Sequence, residues 1–352
     1  MTLPSFPIAT TSIGTDQPPF VIAEMSGNHN QSLDRAIAIV DAAADAGAHA
    51  VKLQTYTADT MTLDVDRDEF KILDPESLWF GRRLHELYRE AATPWDWHDA
   101  IFAHAKSRGI IAFSSPFDET AVDFLETLDA PAYKIASFEL TDLPLIAKTA
   151  ATGKPLVMST GMATLAEIDQ AIECAREHGC GDLVLLKCTS NYPATPESTN
   201  LRTIEHLRDS FGVQVGLSDH TGGIGAAVAA VAMGATVIEK HFTLRRADGG
   251  VDSAFSLEPN ELKSLVVETE RAWQALGEIR YGSAGPQQKS LIFRRSIFVT
   301  RDVEKGEVVG PDCLRIVRPG HGLTPKNWSR VCGRTTNRKL TRGEPTNWDM
   351  FV

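Results

Sequence analysis

The chain has 352 residues, long for a single core and short for three, so one large and one small domain are expected. Hydrophobic residues make up 43% and charged residues 23%, ordinary values for a globular protein. The opening MTLPSFPIATTSIG has neither a basic start nor an apolar core, and the longest uncharged stretch, Thr221 to Ile238, is rich in Gly and Ala. A signal peptide and a membrane span are therefore not expected.

Five cysteines (Cys174, Cys180, Cys188, Cys313 and Cys332), odd in number and without a CxxC pair, speak against a disulfide framework or structural zinc and fit a cytoplasmic setting. The net charge of −11 is unevenly spread: from Pro286 onward about 13 basic residues face about 6 acidic ones. That tail is either a solvated basic face or a surface that docks on acid or holds an anion. Its arginines are scattered and match no recognised module, so nucleic acid is not an expected partner.

In chain order, short β-branched or apolar runs read as strands at Phe20–Glu24, Ala50–Gln54, Ile110–Ser114, Ala132–Ile135, Pro155–Met158, Leu183–Lys187, Gln214–Leu217 and Thr236–Glu239. Helical patterns lie between them, among others Leu33–Ala46, Thr120–Leu128, Leu143–Thr152, Ala166–His178 and Gly223–Met233. Gly47, Gly109, Gly153 and Gly234 stand where a left-handed helix cap is expected. Eight strands alternating with helices over about 250 residues predict a TIM (β/α)₈ barrel. A doubly wound sheet is the alternative, but the first strand runs into Glu24-Met25-Ser26-Gly27-Asn28-His29 rather than a GxGxxG turn.

The segment from Thr55 to Arg108 is too long for a simple crossover. Leu84, Leu87, Tyr88 and Ala91 fall at helical spacing, which reads as the barrel helix preceded by an extended loop over the site. After Gly277 the pattern changes. Residues 1–280 are read as the barrel domain, 281–292 as a linker, and 293–352 as a small domain with short strands such as Ser296–Thr300.

A TIM barrel carries its chemistry where strands end. Those positions hold Glu24; Lys52 and Gln54; Ser115; Lys134, Ser137 and Glu139; Ser159; Ser190 and Tyr192; Ser218 and His220; and Glu239 and His241. Lys52 and Gln54 alternate with Val51 and Leu53, so they face away from the packed side of their strand. His220 and His241 lie one βα unit apart and should end neighbouring strands. They are either a site for a divalent ion such as Mn²⁺ or two hydrogen-bonded core histidines. His29 and Asp219 are further candidates, Asp219 as an orienting partner of His220. Lys52 and Lys134 with nearby serines suit a phosphate; the competing reading is a Schiff-base lysine.

The ordered motifs Ile22–His29, Lys52-Leu53-Gln54-Thr55, Ser114-Ser115-Pro116-Phe117, Tyr133–Ser137, Ser159-Thr160-Gly161-Met162, Lys187–Ser190, Gly216–Thr221 and Ile238–Phe242 resemble the sialic acid synthase family, the phosphoenolpyruvate-dependent nonulosonate synthases. The tail is similar to an antifreeze-like (SAF) domain through Glu304-Lys305-Gly306-Glu307 and Arg318-Pro319-Gly320. Ser77-Leu78-Trp79, Leu84–Tyr88 and Thr93–His98 resemble the pseudaminic acid synthase branch more than the N-acetylneuraminate or legionaminate branches.

The resemblance implies His220 and His241 as ligands of a divalent metal, read here as Mn²⁺ or Mg²⁺ with Mn²⁺ preferred. It implies Lys52, Lys134, Ser137, Ser159, Ser190 and Ser218 as phosphoenolpyruvate binders, and Glu24, Glu239 and Gln54 as catalytic residues. Glu139, Tyr192, Asp252 and Arg318 would contact the acceptor sugar. Arg318 would come from the partner chain of a domain-swapped homodimer.

Overall fold

A computed structural model describes residues 3–352. The chain divides into two compact units, one ending at Gly277 and the other running from Glu278 to Val352.

The first unit opens with a hairpin, β1 (Phe6–Ile8) paired antiparallel to β2 (Thr11–Ile13). Eight parallel strands follow: β3 (Phe20–Glu24), β4 (Ala50–Thr55), β5 (Ile111–Pro116), β6 (Tyr133–Ile135), β7 (Leu156–Ser159), β8 (Leu183–Cys188), β9 (Gln214–Asp219) and β10 (Val237–His241). They close in sequence order, with β10 pairing back onto β3. This is the expected barrel, and closure removes the doubly wound alternative. Several strands run one or two residues further at their C-terminal ends than the apolar runs predicted. The added residues are mostly polar and keep the backbone ladder intact.

The helices are α1 (Leu33–Asp45), α2 (Ala58–Met61), α3 (Leu84–Ala91), α4 (His98–Arg108), α5 (Glu119–Thr127), α6 (Leu143–Ala150), α7 (Leu165–Glu177), α8 (Thr203–Phe211), α9 (Gly225–Ala232) and α10 (Pro259–Leu276). Side-chain caps start many of them: Ser32 accepts from the Arg35 amide, Asp118 from Thr120 and Ala121, and Thr164 forms a capping box with Glu167. One helix reading is corrected. The Leu84–Ala91 stripe is an extra helix packed on α2, and the barrel helix of this unit is α4, which packs on α1 and β5. The backbone is extended at Ala92 and Pro94, which separates the two. No helix among the described residues is long and apolar enough to cross a membrane.

Strand alternation sorts the barrel into two surfaces. Val21, Ala23, Val51, Leu53, Tyr133, Ile135, Leu185 and Leu217 face outward and pack under the helices. Phe20, Ile22, Ala50, Phe113, Ala132, Val157, Val184, Leu186 and Val237 face inward and meet Phe6, Ile8 and Ile13 of the hairpin. The hairpin therefore plugs the N-terminal end of the barrel. Gly216 belongs to the same inner layer: a Cβ there would stand 2.2 Å from the Val237 carbonyl oxygen and 2.6 Å from Leu186 Cδ2.

The second unit pairs β11 (Ser296–Val299) antiparallel with β12 (Leu314–Val317) and adds α11 (Trp328–Val331). Ile297, Val299, Val303, Leu314, Val331, Leu340 and Met350 form its core. Residues 285–293, most of them read as linker, form an exposed 3₁₀ helix.

Candidate active site

Two residues beyond the apolar inner layer, six of the eight strands present a polar side chain to the lumen. Ile22 gives way to Glu24, Ala50 to Lys52, Phe113 to Ser115, Ala132 to Lys134, Val157 to Ser159, and Val237 to Glu239. These groups floor a cavity of about 680 Å³, within the usual range for a small-molecule site.

The floor is a network of buried charge. Lys52, Lys134, Glu24 and Glu239 are all at most 5% exposed. Lys134 Nζ donates to Glu239 Oε1 at 2.8 Å, and Ser218 Oγ donates to the same oxygen at 3.1 Å. Lys52 pairs with Glu24, donates to Ser115 Oγ at 3.2 Å, and lies 4.0 Å from Glu239 Oε2. Gln54 Nε2 donates to Glu24 Oε1 at 3.2 Å.

Burial raises the Glu24 carboxyl above its usual range; Lys52 pulls it back and Glu239 pushes it further up. For Glu239 burial also acts upward, but Lys134 and Lys52 outweigh it and hold the group down at about 2. Burial would lower the Lys52 ammonium, yet Glu239 and Glu24 hold it above its ordinary value. Lys52 is thus a charged cation and not a free amine, which favours anion binding over imine formation.

His220 and His241 stand at the ends of β9 and β10 with ring centroids 5.3 Å apart. His220 Nδ1 donates to the Thr189 carbonyl at 2.9 Å, which leaves Nε2 as its remaining nitrogen. Burial first, and then the cationic neighbours, hold His241 well below its usual value, so it is a neutral imidazole. Its buried Nδ1 has no hydrogen-bond partner, and neither do Ser159 Oγ and Glu239 Oε2. Orphaned polar atoms at one mouth require an external partner. Two imidazoles suit a borderline divalent ion whose other positions are filled by water or substrate oxygens. No group of three or more His, Cys, Asp or Glu side chains among the described residues is placed to hold a metal.

The remaining predicted residues of this unit also line the cavity. Ser137 and Ser190 share a hydrogen bond at 2.8 Å, and the Cβ of any residue replacing Gly161 would stand 2.4 Å from Ser137 Cβ. Tyr192 packs on His220 at 4.4 Å between ring centroids. Asp252 accepts from Ser26 Oγ. Burial pushes the Glu139 carboxyl up to about 7. Arg318 lies in the second unit, directly after β12.

Two candidates are corrected. His29 is fully buried away from the cavity, its Nδ1 accepting from the Gln31 amide and its Nε2 lying 3.2 Å from Thr93 Oγ1. Asp219 does not orient His220. It points to the opposite side of β9 and pairs with Lys240. The Thr189 carbonyl, on the neighbouring strand's loop, takes that orienting role.

Sequence reading missed the side wall. Met61, Ile72, Asp74, Glu76, Trp79 and Tyr88 line the cavity from the segment after β4. The length of that segment and the motifs Ser77-Leu78-Trp79 and Leu84–Tyr88 within it were the signals.

Comparison with known proteins places this architecture. The NeuB family model matches residues 39–281, and the SAF domain model matches residues 294–352. The chain belongs to the NeuB family. Among curated relatives, the pseudaminic acid synthase of Campylobacter jejuni is 43% identical over 95% of this chain and 96% of its own length. The pseudaminic acid synthase of Helicobacter pylori is 42% identical over 95% and 98%. Among solved structures, the N-acetylneuraminic acid synthetase of Leptospira borgpetersenii superposes with a TM-score of 0.73 at 30% identity, covering 82% of this chain and 96% of that one. In this NeuB-family barrel the buried Lys–Glu network and the paired histidines share one mouth.

Proposed function

We propose that this chain is a pseudaminic acid synthase, condensing phosphoenolpyruvate with 2,4-diacetamido-2,4,6-trideoxy-L-altrose and releasing phosphate. The observation that carries the reading is one cavity floor holding two buried lysines, two buried glutamates and two adjacent histidines. Identity above 40% to two pseudaminic acid synthases supports the choice of acceptor.

Lys52 and Lys134, with the hydroxyls of Ser137, Ser159, Ser190 and Ser218, bind phosphoenolpyruvate. Glu139, Tyr192 and Asp252 bind the open-chain sugar. His220 and His241 hold a divalent ion, Mn²⁺ in preference to Mg²⁺, which when bound supplies Lewis acidity to the aldehyde oxygen. The phosphoenolpyruvate methylene carbon attacks the aldehyde carbon, and positive charge develops at C2. Glu24 faces that charge, held in place by Lys52 and Gln54. Water adds to C2 and gives one proton to Glu24 or Glu239, which returns it to the aldehyde oxygen as that becomes a hydroxyl; the remaining proton of the new C2 hydroxyl passes to the departing phosphate as the C2–O bond breaks and the ketone forms. The lysines stabilise the departing anion.

The assembly we propose is a homodimer in which Arg318 of the small domain reaches the neighbouring mouth. The family resemblance and the basic excess of the tail support it. A cytoplasmic setting fits the five free cysteines.

The test is phosphate release with Mn²⁺, phosphoenolpyruvate and three acceptors: the altrose derivative, N-acetylmannosamine and the legionaminate precursor. The altrose derivative should exceed the others at least about tenfold in kcat/KM, a discrimination of the size pocket contacts supply. Faster release with either of the others would overturn the assignment. Borohydride with pyruvate should trap no adduct; a lysine adduct would favour a class I aldolase instead.

A further inference from the structure

The cavity has two chemically distinct halves. Its floor holds paired lysines and glutamates beside serine hydroxyls, and its side wall adds apolar surface with carboxylates, unpaired among the described residues, next to it. Met61, Ile72, Trp79 and Tyr88 of the segment after β4 supply apolar surface, and Asp74 and Glu76 add carboxylates beside it. Trp79 is fixed in place: its Nε1 donates to the Val251 carbonyl at 3.0 Å, and its ring packs 6.1 Å from that of Tyr192. Tyr192 in turn covers His220. The wall is thus joined to the floor through one aromatic ring.

Phosphoenolpyruvate carries no alkyl group and several negative charges, so this wall offers it neither apolar contact nor charge complement. The wall serves the other substrate. That substrate's aldehyde meets phosphoenolpyruvate on the floor, so the far end of its carbon chain points toward the rim, where the wall stands. We infer that Trp79, with Ile72 and Met61, selects an acceptor whose chain ends in a methyl group rather than a hydroxymethyl group, while Asp74 and Glu76 accept from its hydroxyls. This rests on the acceptor proposed above. A terminal hydroxyl pressed against Trp79 and Ile72 would lose its water without gaining a partner.

The test compares kcat/KM for the 6-deoxy altrose acceptor and its 6-hydroxy counterpart, in the parent chain and in Trp79→Ala and Ile72→Ser. The parent should prefer the 6-deoxy acceptor by about 10- to 100-fold, the range an apolar pocket achieves against an added hydroxyl. Both variants should bring the ratio to within about threefold, with the phosphoenolpyruvate KM unchanged and the loss confined to the 6-deoxy substrate. A parent that uses both acceptors equally, or variants that keep the parent's ratio, would overturn the selectivity role while leaving the synthase reading standing. A parent that uses neither altrose acceptor but turns over another hexose would overturn both.

Discussion

Lys240 and Asp219 form an ion pair with no exposed side-chain surface, directly behind the two histidines. The Nζ–Oδ2 distance is 2.7 Å, Lys240 Nζ also donates to the Thr221 carbonyl at 2.6 Å, and Asp219 Oδ1 accepts from the Thr221 amide at 2.8 Å. At an effective dielectric constant of 20, two charges at that distance attract by roughly 6 kcal/mol. Removing both from water costs several kcal/mol per ion, so the intact pair contributes little net stability. Breaking it is different. Lys240→Met leaves Asp219 buried with one amide donor and leaves the Thr221 carbonyl without its ammonium, which should cost about 3–5 kcal/mol. The double variant Asp219→Leu/Lys240→Met removes both charges and should recover most of that loss. Equilibrium urea unfolding followed by a barrel signal measures both. The double variant should nevertheless stay poorly active, because nothing then locks Thr221 and the turn beyond His220. A single variant within about 1 kcal/mol of the parent would refute the energetic argument. Full activity in the double variant would refute the positioning argument.

His220→Ala and His241→Ala should each abolish phosphate release and weaken Mn²⁺ binding by electron paramagnetic titration, with the circular dichroism spectrum unchanged; undiminished Mn²⁺ affinity in both would remove them as ligands. Glu139 has its pKa raised by burial to about 7, so its contribution to stability is present below about pH 4.5 and is lost as pH rises through 7. Glu139→Gln should therefore gain on the parent between pH 5 and 8, by at most about 3 kcal/mol and by less for a carboxyl that is partly solvated. Parallel curves of Tm against pH would count against it. Arg318→Ala should raise the acceptor KM and leave the phosphoenolpyruvate KM alone. Mixing Arg318→Ala chains with His220→Ala chains should restore activity if the arginine acts across a dimer, since one of the two sites is then intact; no recovery from a confirmed mixed dimer would place the arginine in its own chain's site.

The barrel was legible because eight buried strands and their glycine-ended helices repeat a strong pattern. Glu24, Lys52 and Lys134 could be placed from strand ends alone. The hairpin β1–β2 escaped notice because three-residue strands carry too little alternation to separate from a loop. The role of Leu84–Ala91 was misread because an amphipathic stripe does not say which surface it covers. Pairing was equally hidden. A lysine inside an apolar run signals a buried cation, but only the closed barrel shows that Glu239, 105 residues away, neutralises Lys134. The side wall is built from a long crossover with no period of its own; resemblance marked Ser77-Leu78-Trp79, but only the fold shows Trp79 packed near Tyr192 at the cavity.

The same register that builds the floor also explains why it can be rigid. On β9 and β10 the inward series is Ser218, His220, Glu239 and His241, and the outward series is Asp219 and Lys240. Asp219 and Lys240 are direct cross-strand neighbours. Each reactive residue is therefore flanked by a residue that ties the two strands together from behind. A one-residue slip in either strand would exchange that strand's two series, turning its member of the ion pair into the lumen and its histidine into the helix layer. The buried pair disfavours that slip strongly, because a shifted partner would leave the other charge buried and unmatched. The geometry at this mouth thus follows from strand pairing, and the expected loss of activity on replacing Asp219 and Lys240, which do not line the cavity, is its consequence.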